Sequence, residues 1–124
     1  MGKQIEERIN VEIEALKGGI VHAATHYDDC RIPENSLNAL LDWVLHGRWP
    51  SGNFIHSVIE NKLAQAVFSA GSDNLKIIKN YCILIYNYIP GDCSGSSEKM
   101  KKWNAHGGYA GFVRKMLEAQ GKEV

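Results

Sequence analysis

His22 and His26 stand four residues apart in "VHAATHYDDC", with Asp28, Asp29 and Cys30 close behind. On a helix that spacing puts both imidazoles on one face, where they would offer two ligands to one metal ion. No HExxH glutamate lies between them and no third ligand can be assigned, so ordinary hydrogen-bonded histidines, and no metal, are expected. A cysteine nucleophile needs a neighbouring base. Cys82 falls in the apolar run "NLKIIKNYCILIYNYIPG", where burial would raise its pKa and make it inert. Cys93 falls in a polar loop with no assignable partner. There is no GxSxG elbow, and the glycines of "PGDCSGSS" follow no predicted strand, which removes serine-hydrolase, Rossmann and Walker readings. The expectation is a non-enzymatic protein with no catalytic residues and no cofactor, the alternative being a weak enzyme that acts on a nucleotide through a histidine or Cys93.

More informative are polar residues on apolar faces. Asn61 continues the spacing Phe54, Val58, Asn61, Gln65 along one helix edge, and Asn87 lies between Tyr86 and Tyr88. A buried amide without partners costs ~1–3 kcal/mol. Each amide therefore either caps a neighbouring helix end or reads the hydrogen-bonding edge of a ligand. The stretch "GRWPSGNF", Gly47 to Phe54, poses the same choice. Pro50 suits a first helical turn, and Gly52 leaves amides free at a helix N-terminus, which favours an anion. Trp49 and Phe54 either stack on a ligand or fold inward and lock the corner. The candidate ligand-binding set is Trp49, Gly52, Asn53, Phe54, Asn61, Asn87, Ser96 and Trp103.

The elements that carry these residues belong to a chain of 124 residues, 44% hydrophobic and 23% charged, sufficient for one core. Fourteen basic residues balance fourteen acidic ones, so the electrostatic footprint of a nucleic-acid polymer binder is missing. Lys99, Lys101 and Lys102 read as a solvated face. Cys30, Cys82 and Cys93 are an odd set without a CxxC pair, as in a reducing cytosol. The charged N-terminus is no signal peptide, and Met1-Gly2 is weak support for myristoylation. No run approaches the roughly 18–20 apolar residues of a membrane span. A soluble, cytoplasmic protein is expected.

Apolar periodicity predicts an all-α, compact single domain of five or six short helices. Ile5, Ile9, Ile13 and Leu16 form a first stripe, ended by Gly18-Gly19. The segment from Ile20 to Pro33 reads either as a second short helix or as a connector. Leu37, Leu40, Leu41, Val44 and Leu45 form the next stripe, capped by Asn35 or Ser36 and ended by Gly47. Phe54 to Val67 reads as one helix, followed by a cap at Ser72 or Asp73. Residues 77–89, apolar nearly all round, read as the central helix, ended by Pro90-Gly91. Ser96 or Ser97 caps a short helix with Met100 and Trp103 inward. Tyr109, Phe112, Val113, Met116 and Leu117 mark the last helix. Residues 1–35 read as an N-terminal helix and connector, packed as one domain with a helical core over 36–124.

"LLDWVLHGRWPSGNFIHSVIENKLAQAV", the following Asp73-Asn74, and "IYNYIPGDCSGSSEKMKKWNAHGG" together resemble a group of small uncharacterised proteins from tailed phages and prophages. The shared pattern falls on Gly47, Pro50, Gly52, Phe54, Asn61, Asp73, Asn74, Tyr86, Asn87, Pro90, Gly95, Ser96, Glu98, Lys99, Trp103, Gly107 and Gly108. It covers roughly residues 37–108. Relatives often carry a Trp just before the Gly-Ser pair, where this chain has Cys93-Ser94. The resemblance implies a phage accessory or counter-defence protein in the host cytoplasm, with no activity to carry over. Two roles follow from it: sequestration of a small nucleotide-derived immune signal, or inhibition of a host defence protein by contact, with Trp49 and Trp103 as anchors. A homo-oligomer with a site at the subunit interface, built in part by the last helix, is expected for the first.

Overall fold

The computed structural model describes residues 2–50 and 52–122; Met1 of the Met-Gly start and Ser51 of the corner lie outside the described residues. The fold is all-α, but the described residues form eight α-helices where five or six were expected, and they are not uniformly short. They are α1 (Gly2–His26), α2 (Glu34–His46), α3 (Asn53–Glu60), α4 (Leu63–Ser69), α5 (Ser72–Lys76), α6 (Ile78–Tyr88), α7 (Ser97–His106) and α8 (Gly108–Lys122). Short 3₁₀ turns lie at Asp28–Cys30 and Gly91–Cys93.

Two breaks account for the difference in number, and a glycine pair that does not stop a helix accounts for the difference in length. Gly18-Gly19 does not stop α1, which runs for 25 residues. Glycine permits a left-handed stop but does not impose one. The roughly 1 kcal/mol each glycine costs inside a helix is offset by burying Ile20, Ala23 and Ala24 beyond the pair. Asn61 does stop a helix: its φ of 69° is left-handed, a conformation asparagine tolerates better than most residues. Lys62 N–H then closes the turn onto Ser57 O at 2.9 Å. The expected helix 54–67 thus becomes α3 and α4. A second break, at Ile77 (φ −116°, ψ 19°), separates α5 from α6.

The central helix is α2, not α6. It buries Leu37, Leu40, Leu41, Trp43, Val44 and Leu45 and packs against α1, α3 and α8. Its start is Glu34 after Pro33, ahead of the expected caps Asn35 and Ser36. In α6 only Tyr81 and Leu84 are buried, while Cys82, Tyr86 and Asn87 face outward. Among the described residues no element covers that side, so its outward residues form a wall of a groove. α1 lies along α8, α6 and α2, and its Glu6 pairs with Arg114 of α8.

The C-terminal end of α2 meets the α7–α8 corner backbone to backbone. Gly47 is left-handed at φ 69°, and a Cβ there would stand 2.6 Å from Gly108 N. A Cβ on Gly108 would collide in turn with Gly47 and His46. Trp103, fully buried, donates its indole N–H to Trp43 O (3.2 Å) and Val44 O (3.0 Å). Asn104 Nδ2 donates to Gly47 O at 2.8 Å. Val44 O is a carbonyl that the helix end leaves without an intrahelical partner, whereas Trp43 O also accepts the Gly47 N–H at 2.9 Å and Gly47 itself is the C-cap. Trp43 donates its own indole N–H to Cys93 O at 3.0 Å, fastening the 3₁₀ turn before α7.

Trp103→Phe removes one donor serving two buried carbonyls, and should cost ~1–3 kcal/mol of unfolding free energy in urea titrations. Trp49→Phe, at a half-exposed site, should stay within about 0.5 kcal/mol of wild type. Equal losses would contradict the capping role of Trp103.

Candidate functional site

Helix α3 is a wall between two cavities, because its short amphipathic turn buries Phe54, Ile55 and Ile59 and leaves both flanks open. On one side lies a groove of about 620 Å³ between α3, α6 and the start of α7. Val58, Ile59, Ile83, Ile85 and Ile89 make it apolar. Asn61, Asn87, Tyr86 and Lys99 supply its polar and aromatic groups. The loop before α7 is held to the wall by Gly95 N–H donating to Ile59 O at 2.9 Å.

The two asparagines singled out by sequence therefore open on one groove from different helices, although neither is buried. Asn61 stands at the left-handed end of α3, and its side-chain amide has no hydrogen-bond partner among the described residues. Asn87 Nδ2 donates to Ile83 O at 2.9 Å, one turn back. That bond orients the amide and leaves its oxygen open. Lys99 Nζ reaches Gly91 O at 3.4 Å, a long contact that leaves the ammonium mobile at the rim. Tyr86 is 88% exposed, so one whole ring face is available.

The other expected ligand residues go elsewhere. Trp103 is committed to the end of α2 and cannot serve as a ligand platform or an interface anchor. Ser96 is the N-cap of α7, its hydroxyl accepting from Lys99 N–H at 3.2 Å. Phe54 folds inward, edge-on to Tyr81 at 5.0 Å. Trp49 lies between Trp43 (5.1 Å) and His56 (5.6 Å, nearly parallel). Pro50 precedes the first turn of α3 rather than forming it, and Gly52 is the N-cap with φ 109°. The corner is thus occupied largely by its own packing. Asn53 lines the second cavity, on the opposite side of α3. Sequence reasoning passed over Tyr86 and Lys99 as site residues; Lys99, three residues after the N-cap, was the legible one.

The cysteines exchange their expected environments. Cys82 is exposed and lines the groove. Cys93 is buried, its thiol 3.0 Å from Pro90 O, and burial pushes its pKa up to about 12. Cys30 is also buried, and desolvation raises its pKa. His22 and His26 stack at 4.3 Å, and among the described residues no three His, Cys, Asp or Glu side chains converge as for a metal. Nor, among them, is any helix long and apolar enough to cross a membrane.

Glu60, buried near the end of α3, takes Lys62 Nζ at 2.6 Å and His56 Nε2 at 3.0 Å. Its pKa is lowered, first by the Lys62 hydrogen bond, against the opposing effect of burial, and then by His56. A folded-state value below the unfolded one contributes stability that is complete above the ordinary carboxylate pKa. That contribution disappears as pH falls through the lowered value. Glu60→Gln should therefore narrow the gap to wild type as the pH of a thermal melt drops below about 4.3; a constant gap would refute the ionic coupling. In native protein a thiol reagent should modify Cys82 rapidly, and Cys30 and Cys93 only after unfolding. Fast reaction in a Cys82→Ser variant would contradict the burial of the other two. No family model matches the chain, and neither a curated protein nor a solved structure was found to match it.

Proposed function

We propose that this is a non-enzymatic binding protein that holds a small nucleotide-type ligand in the α3–α6–α7 groove. In a phage setting it would act as a counter-defence factor, sequestering a nucleotide-derived immune signal in the host cytoplasm. The observation that carries the reading is the convergence of Asn61 and Asn87 from separate helices on one apolar-walled groove, each with free amide capacity. An asparagine offers a donor and an acceptor side by side, the complement of a base edge. Tyr86 supplies a stacking face, and Lys99 a mobile positive charge for a phosphate. The volume falls within the roughly 300–1,000 Å³ of small-molecule sites. Five positions of the phage-protein pattern, Asn61, Tyr86, Asn87, Gly95 and Lys99, line this groove.

Contact with a host defence protein is a second reading, favoured by α4. The segment Leu63 to Gly71 carries no charge and exposes Leu63 (71%) and Phe68 (86%).

Native mass spectrometry with a nucleotide-rich, protein-free extract of defence-activated cells distinguishes the two. A discrete added mass, released unchanged on denaturation, is expected, and the same spectrum reads any homo-oligomer. Asn61→Ala and Asn87→Ala should each weaken that complex roughly five- to tenfold. An unaltered spectrum would remove the ligand reading, and a chemically altered ligand would make the protein an enzyme.

A further inference from the structure

The second cavity, between α3 and α4, has a volume of about 520 Å³ and a chemistry unlike that of the groove. We infer that it is a separate binding site for a neutral, hydroxyl-rich molecule of the saccharide type. The first ground is Ser57. It is 94% buried, being 6% exposed, and its hydroxyl makes no hydrogen bond among the described residues. No buried side-chain oxygen or nitrogen is sealed off without a partner, so what remains accessible of this hydroxyl opens on the cavity it lines. A hydroxyl so enclosed can be paired only from the cavity side, by water or by a guest that takes the water's place.

The second ground is charge. The cavity's carboxylate, Glu60, already has Lys62 on one oxygen and His56 on the other, at 2.6 and 3.0 Å. A phosphate entering here would meet that carboxylate, and an ammonium would meet Lys62. Neither sign gains a net attraction, so the pair selects against ionic guests while keeping lone pairs for a hydroxyl donor.

The third ground is the rest of the lining. Gln65 and Asn53 add side-chain amides that both donate and accept. Phe68 borders the same space while 86% exposed. Its electron-rich ring face suits the polarised C–H face of a sugar ring, whose hydroxyls then point toward the amides. Hydrogen-bonding groups of both senses beside one bare aromatic ring fit a polyol better than a planar base, which would leave most of these groups unpaired.

The test is a proton–nitrogen correlation spectrum of the whole protein titrated separately with glucose, N-acetylglucosamine and ribose, and with tert-butanol as an apolar control. At least one sugar should shift the Ser57 amide and the Gln65 side-chain amide, with tert-butanol leaving them in place. Phe68→Ala, at an exposed position that the fold does not need, should weaken that response at least about tenfold, and Gln65→Ala likewise. Asn87→Ala in the other groove should leave it unchanged. The inference is overturned if no sugar shifts these resonances, if tert-butanol shifts them equally, or if the response survives Phe68→Ala.

Discussion

A helix end that cannot complete its own hydrogen bonds organises this molecule. α2 is the most enclosed element, and its last carbonyls lie where water cannot serve them. Val44 O is served instead by Trp103, which also reaches Trp43 O beside that carbonyl's own bond to Gly47 N–H, and Asn104 holds Gly47 O at the C-cap, all from some sixty residues further along the chain. For those donors to reach, the α7–α8 corner must touch α2 at backbone distance, which requires the absence of a side chain at both Gly47 and Gly108. The glycines are thus needed less for the turns they make than for the approach they allow. Once α7 is held there, Trp43 fastens the turn before it, and the loop carrying Gly95 is drawn onto α3.

The groove is a by-product of that arrangement. α7 is held at α2 through its C-terminal half, and the groove lies between its N-terminal turn and α6, with Ile83 and Ile85 half-buried and Tyr86 exposed. Two cavities then share α3 as a partition, one apolar with free amides and a lysine, the other polar with its charges internally balanced. An eight-residue helix has room for only one buried stripe. Its remaining residues necessarily face the two sides.

What could be read from the sequence was local. The all-α class, the stripe of α2, its stop at Gly47 and the Ser96 cap all follow from periodicity and capping chemistry, and the structure has them. What could not be read depended on neighbours. Gly18-Gly19 is helical because residues on both sides of it are buried, a fact outside any window around the pair. The 77–89 run has the composition of an enclosed helix, yet nothing packs on its outer face, and Cys82 is exposed in consequence. Cys93 looks like a loop thiol until Trp43 binds its carbonyl and pulls the turn inward. Asn61 was legible as an odd polar residue but not as the end of a helix. The same left-handed turn that ends α3 places it on the groove that Asn87 also lines. The convergence of these two amides is a property of three elements at once, and no spacing within one of them encodes it.

The pairing of α1 with α8 has a consequence in time. α1 finds one of its principal partners in α8, which is made about a hundred residues later. At ribosomal speeds of roughly 5–20 residues per second, the isoleucine stripe of α1 waits for several seconds with only α2, α6 and the Asp28–Cys30 turn to shelter it. In the interval Asn80 already ties that turn to α6, through bonds of 3.2 and 2.8 Å to Asp28 O and Arg31 O. In the folded protein α1, α6 and that turn all pack on one another.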